Sequence, residues 1–121
     1  MPFHMDGNHW ILLVTAVGKK RLLIYDSLKR RNESDYHPVI DAVCSYLNLC
    51  EVQSAGRDWA QVIRDAPQQI DGYSCGLFAC LAARHVVHGM PLLQQREAQN
   101  LDRVATRRVM ALELIRGELV R

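Results

Sequence analysis

The stretch Gln69-Ile70-Asp71-Gly72-Tyr73-Ser74-Cys75-Gly76-Leu77-Phe78 sets a polar turn directly against an apolar run. Asp71-Gly72 is a turn signal, and from 77 to 83 every residue is apolar, with Arg84 the first charge. A helix is therefore expected to open at Cys75. Because the run has no polar face, that helix is expected to be buried all round, in the middle of the domain. A small antiparallel sheet packed on it would make the fold α+β.

Working upstream, residues 9–17 and 21–25 are rich in Ile, Leu, Val, Trp and Tyr and are separated by Gly18-Lys19-Lys20, which reads as a β-hairpin. Asp26-Ser27 closes the second strand, and residues 29–34 read as a loop. Asp35 is placed to cap a helix with Pro38 in its first turn, where a missing amide proton costs little. Tyr36, Val39, Ile40, Val43, Cys44 and Leu47 follow helical spacing, so one face of this helix should pack on the core, with Cys44 as filling. Residues 59–64 read as a third strand, ended by Pro67. Downstream, a helix over 101–119 places Leu101, Val104, Ala105, Val109, Leu112, Ile115 and Leu119 on one stripe, expected to face the core. Arg108 falls inside that stripe and has to snorkel out or find a partner. Arg103 and Arg107 lie opposite, as a solvated face.

The 121 residues and 13.8 kDa bound the chain to one domain with one core. Its 49% hydrophobic and 23% charged residues are globular values, which excludes a disordered tail, a collagen repeat or a coiled coil as the whole chain. A net charge of +2 is too balanced to point to nucleic acid. The longest apolar stretch, residues 11–17, is far short of the roughly 18 residues a membrane span needs. The first residues lack the basic and apolar regions of a secretory signal. Cys44, Cys50, Cys75 and Cys80 sit mostly inside patterned segments rather than loops, so a reduced, intracellular protein is expected.

The chemistry concentrates on Cys75. At the start of a helix its sulfur meets unpaired backbone N–H groups and the positive end of the helix dipole, a setting that favours a thiolate. A buried cysteine is more commonly an inert small hydrophobe, so the sulfur needs a base and the base needs an orienting acceptor. His9 opens the first strand of the hairpin and Asp26 closes the second, and antiparallel pairing brings those ends together. Singly, each reads as an ordinary strand-end residue; the convergence of the three is the signal. His85 and His88 lie at the far end of the helix, about three turns from Cys75. Cys75 and Cys80 point to different sides of it, and no metal-ligand spacing or phosphate-binding glycine loop is present. No cofactor is expected.

At these residues the chain resembles the SUMO and ubiquitin-like-protein-specific cysteine proteases, the clan that includes the adenoviral protease. The matching signatures are His9-Trp10, Tyr25-Asp26-Ser27-Leu28, and the 69–78 stretch, with Asp26 placed 17 residues after His9 and Cys75 placed 49 after Asp26. Ser74 stands where the family often has aspartate. The resemblance implies a papain-like fold, with residues 1–121 as one domain equivalent to the C-terminal half of the family's catalytic domain. It implies Cys75 as nucleophile, His9 as base and then acid, Asp26 as the residue holding the imidazole, and Gln69 with the Cys75 amide as oxyanion hole. Trp10 would wall a narrow channel, with Gly72 and Gly76 leaving room for a modifier's Gly-Gly tail. The implied partner is SUMO or another ubiquitin-like modifier and its conjugates, in the nucleus or cytoplasm, with no nucleic acid and no membrane. Two other readings stand beside cleavage: a remnant that binds a modifier without cutting it, and acetyl transfer by a similar Cys/His/acid set.

Overall fold

The computed structural model describes residues 1–28, 32–50 and 59–118. The expected loop at residues 29–31 and the stripe position Leu119 lie outside them. Four strands, β1 (Pro2–Met5), β2 (His9–Ala16), β3 (Arg21–Tyr25) and β4 (Ala60–Arg64), form one sheet in that order. Around it lie α1 (His37–Leu49), α2 (Cys75–Val87), the short α3 (Gln95–Gln99) and α4 (Arg103–Arg116).

The β2–β3 hairpin forms in the register Leu12↔Tyr25 to Ala16↔Arg21, through a single helical turn at Val17–Lys19. Upstream, β1 pairs antiparallel with β2, from Pro2↔Leu12 to Met5↔His9. The reversal between them uses left-handed backbone at Asp6 (φ 53) and Gly7 (φ 74), conformations that a short polar side chain and a glycine tolerate best. That tight turn delivers His9 as the first residue of β2.

The sheet is mixed, not antiparallel as expected. β4 runs parallel to β3, from Arg21↔Ala60 to Tyr25↔Arg64. A single apolar strand carries no sign of its direction; here α1 lies between β3 and β4 and serves as the crossover that a parallel pair requires.

Both faces of the sheet are covered, which explains why β2 is a nearly unbroken apolar run rather than an alternating one. Ile11 and Leu13 of β2 and Leu22 and Ile24 of β3 pack with Val39, Ile40, Val43 and Leu47, the stripe of α1, and with Tyr36 just before it, and Cys44 packs against this cluster. On the other face Leu12 and Tyr25 pack with Ala79 and Ala82 of α2, flanked by Val14 and Leu23. Ile11, Leu13 and Leu22 are fully buried, each contributing about 1.5–3 kcal/mol of burial.

Three further expectations change. Asp35 is not the cap of α1; Asn32 caps a preceding helical turn at Glu33–Tyr36, and Asp35 returns its carboxylate to the Asn32 amide at 2.7 Å. Next, the helix opening at Cys75 is not buried all round. It lies on one face of the sheet, with Cys80 exposed and Val87 75% exposed. The absence of polar residues from its outer face is a property of the sequence that packing within these residues does not use.

Finally, the helix expected over 101–119 is α4 and is shorter, opening at Arg103 after Asp102, whose carboxylate accepts from the Ala105 amide at 2.9 Å, while α3 is a separate short helix upstream of the expected range. The apolar stripe of α4 faces outward, with Ile115 81% exposed. The helix docks instead through Glu113, which is buried and pairs with Arg84 of α2 at 2.7 Å. Arg108 is therefore an exposed residue among exposed neighbours, whereas Arg103, expected in solvent, is largely buried and pairs with Asp71. Among the described residues no helix is long and apolar enough to cross a membrane.

Candidate active site

The end of the sheet where β2 begins and β3 finishes gathers the chemistry. His9 is 4% exposed, and its Nε2 lies 2.7 Å from Oδ1 of Asp26, which is fully buried. A carboxylate only accepts, so Nε2 carries the proton and Nδ1 is the nitrogen left with a lone pair. Asp26 has two further donors: the Leu28 amide to Oδ1 at 2.9 Å and the Tyr36 hydroxyl to Oδ2 at 2.6 Å. Three donors on one fully buried carboxyl group offset the cost of taking it out of water and fix its plane.

Cys75 is the first residue of α2 and is buried, 6% exposed. Gln69 is held just upstream at three points: its amide N–H donates to the Ser27 carbonyl at 2.9 Å, its Oε1 accepts from the Ser27 hydroxyl at 2.6 Å, and its Nε2 donates to the Asp71 carbonyl at 2.7 Å. Nε2 has two hydrogens, so one can still be offered to a substrate oxygen. Asp71 organises the residues that lead into the helix. Its Oδ1 accepts from the amides of Tyr73 (2.9 Å) and Ser74 (2.7 Å), and its Oδ2 from the Ser74 hydroxyl at 2.7 Å. Partial burial of Asp71 pushes its pKa up, but those three hydrogen bonds and the nearby Arg103 charge outweigh it and hold the carboxyl below its usual value.

Trp10 is 42% exposed, so it is not a core residue. Its ring lies 4.7 Å from that of His4, and its Cδ1 is 3.7 Å from where a side chain on Gly76 would begin. The neighbours of His9 and Cys75 in sequence thus lie side by side, which sets the strand end against the helix start. An alanine at Gly76 would fit at ordinary contact distance, so the glycine leaves open space beside the tryptophan rather than relieving a clash. Gly72 lies on the other side, in an open cleft of about 710 Å³ that also has His9, Asp6, Asn8 and Asp35 on its walls. Nothing stands within 4 Å of a side chain placed at Gly72. His85 is engaged at the far end of α2, its Nδ1 2.7 Å from the Pro91 carbonyl. Among the described residues no group of three metal-ligating side chains occurs.

Sequence reasoning did not single out Tyr36, Ser27 or Asp71 as parts of this arrangement. Tyr36 reads as one more member of the α1 stripe; the available signal is a hydroxyl on an otherwise aliphatic face, in the helical turn that follows Asp26. Ser27 and Asp71 read as ordinary strand-end and turn residues.

The model of the family described as "Ulp1 protease family, C-terminal catalytic domain" matches residues 1–117. The chain is 26% identical to Ubiquitin-like-specific protease 1 of Saccharomyces cerevisiae, over 66% of this chain and 13% of that protein. It is 33% identical to Sentrin-specific protease of Caenorhabditis elegans, over 66% of this chain and 12% of that protein. Among solved structures, the C-terminal Ulp1 protease domain in complex with Smt3, the yeast ortholog of SUMO, superposes with a TM-score of 0.76 at 23% identity, covering 94% of this chain and 50% of that one. The SUMO protease Ulp1 with its catalytic cysteine oxidized to a sulfenic acid gives a TM-score of 0.78 at 23% identity, covering 97% and 52%. At that identity the likeness is one of fold. The chain spans about half the length of these solved domains and 13% or less of the curated relatives.

Proposed function

The chain belongs to the Ulp1 protease family, and from that premise we propose that it hydrolyses the peptide or isopeptide bond after the C-terminal Gly-Gly of SUMO or another ubiquitin-like modifier. His9 Nδ1 takes the proton of the Cys75 thiol, and Sγ attacks the carbonyl carbon of the terminal glycine. Asp26 stabilises the imidazolium that forms. The oxygen that becomes negative receives hydrogen bonds from Gln69 Nε2 and the Cys75 amide, an arrangement typically worth about 2.7–4 kcal/mol of barrier per donor. The imidazolium then gives its proton to the departing amine. Water, activated by His9, releases the modifier's carboxylate and restores the thiol.

Trp10 and Gly76 fit the selectivity this reaction needs. A tail running past the exposed indole and the side-chain-free helix start meets both surfaces, and residues without a Cβ approach them most closely. The cleft beyond His9 would hold the departing side of the substrate.

The observation that carries the reading is the His9–Asp26 bond at 2.7 Å, in a carboxyl environment completed by Tyr36. An ordinary strand-end histidine has no need of a fully buried, triply bonded acceptor. The test is a modifier whose C-terminus carries a thiol-reactive electrophile. One adduct on Cys75, lost in Cys75→Ala, is expected; a wild-type protein left unmodified would overturn the proposal. The alternative is a chain that binds a modifier without cleaving it. Binding with no adduct would establish that reading instead.

A further inference from the structure

We infer that Arg103, with Gln95, braces the loop that carries Gln69 and Cys75, making the α3–α4 segment a positioning element for the nucleophile. The inference rests on the proposed reaction for its consequence in rate, although the brace itself is a matter of structure.

The loop between β4 and α2 has no regular secondary structure, yet it has to hold Gln69 and the start of α2 in fixed relation. One end is tied to the sheet: Ser27 holds Gln69, and Gln68 Nε2 donates to the Asp26 carbonyl at 3.0 Å. The other ties come from the C-terminal segment. Gln95 in α3 grips the backbone of Gln68 from both sides, its Oε1 accepting from the amide at 2.6 Å and its Nε2 donating to the carbonyl at 2.9 Å. Arg103, the first residue of α4, brings Nε to 3.0 Å from Oδ2 of Asp71. Asp71 in turn holds the Tyr73 amide, the Ser74 amide and hydroxyl and, through its carbonyl, Gln69 Nε2.

The guanidinium is poorly placed for a purely stabilising role. Its side chain is 19% exposed, and Nε and Nη2 are both buried without a well-aligned hydrogen bond among the described residues. A mostly buried cation held by charge alone is a weak source of stability. What it does supply is a fixed positive charge on the carboxylate that holds the Tyr73 amide and the Ser74 amide and hydroxyl, the residues just before Cys75, in a residue whose backbone carbonyl also holds Gln69 Nε2.

The experiment compares Arg103→Gln, Arg103→Lys, Asp71→Asn and the double variant Arg103→Gln/Asp71→Asn, with Arg107→Gln as a control on the exposed side of α4. Two quantities are read: hydrogen exchange at the Tyr73 and Ser74 amides, and kcat and KM on a modifier fused to a C-terminal reporter. Arg103→Gln is expected to speed exchange at both amides and lower kcat by about tenfold, the size of coupling usual between contacting charged groups, with KM little changed. Arg103→Lys should retain most of the wild-type behaviour and Arg107→Gln all of it. The double variant should lose no more than either single. A folded Arg103→Gln protein with wild-type exchange at Tyr73 and Ser74 would overturn the inference, as would additive losses. If Arg103→Gln does not fold, Asp71→Asn keeps an acceptor for both amides while removing the charge, and the same exchange readout decides. If no substrate is turned over at all, the proposed reaction fails, while the exchange measurement still decides the brace.

Discussion

In the proposed site His9 and Asp26, the base side, stand on strand ends anchored in a sheet covered on both faces, whereas the nucleophile side is Gln69 on a loop held by side-chain hydrogen bonds and one charge pair, and Cys75 at the helix start into which that loop leads. The base side takes its order from apolar burial: Tyr36 reaches Asp26 because the α1 stripe is already packed on Ile11, Leu13 and Ile24. The nucleophile side takes its order from Asp71, Ser27, Gln95 and Arg103, groups whose bonds are made one at a time. Damage to the first should therefore cost stability and activity together, and damage to the second should cost activity first.

The largest effect is expected from Asp26→Ala, which strands three buried donors and frees the imidazole. Activity should fall by about 10⁴-fold, as for other triads losing their acid, and the thermal midpoint should fall with it. Asp26→Asn should be milder in thermal stability, since its oxygen can stay on His9 while its NH₂ turns to the Tyr36 hydroxyl. An asparagine variant as damaged as alanine in a kcat measurement would show that charge rather than orientation matters. Gln69→Ala comes next: about 10²–10³ in kcat, the usual cost of one oxyanion donor, with a nearly unchanged melting curve. A large drop in melting temperature would erase the contrast between the two sides.

Tyr36→Phe tests the base side more gently. It leaves Oδ2 of Asp26 without its hydroxyl donor and should cost about 1.5–3 kcal/mol in denaturant unfolding, typical of a hydrogen bond to a charged group, with a smaller drop in kcat than Gln69→Ala. The smallest effect is one of pH. Because the Asp71 carboxyl is held below its usual value, its contribution is complete above the unfolded aspartate value of about 3.9 and is lost as pH falls through the depressed folded value. The nucleophile loop should thus loosen in acid before the sheet does. An NMR titration of the Tyr73 and Ser74 amides should show a midpoint below that of a free aspartate; an ordinary midpoint would remove Asp71 as the organiser of the loop.

The same division decided what could be read from the sequence. The hairpin and the α1 stripe were legible because local periodicity encodes them, and antiparallel pairing alone brought His9 and Asp26 to one end. The direction of β4 was not legible, since strand direction depends on where the chain returns after α1. Nor was the packing of α2 and α4. An apolar face states that it can be buried, not that these residues bury it, and α4 docks through Glu113 while Leu114 and Ile115 face out. On the proposed nucleophile side Gln69 and Cys75 entered through the family motif, and the start of α2 at Cys75 was legible from the turn and the apolar run that flank it. Ser27, Asp71 and Arg103 were not, because hydrogen bonds between distant polar residues leave no periodic trace.

The exposed ring of Trp10 has an optical consequence. The chain has two tryptophans, and the other, Trp59, is buried in the cluster under α1. An aqueous quencher therefore reaches one indole and spares the other, and the accessible one borders the helix start that carries Cys75. The protein thus holds a built-in fluorophore at the mouth of its proposed site, and a tail threading past Gly76 would register as a shielded, blue-shifted emission without any label.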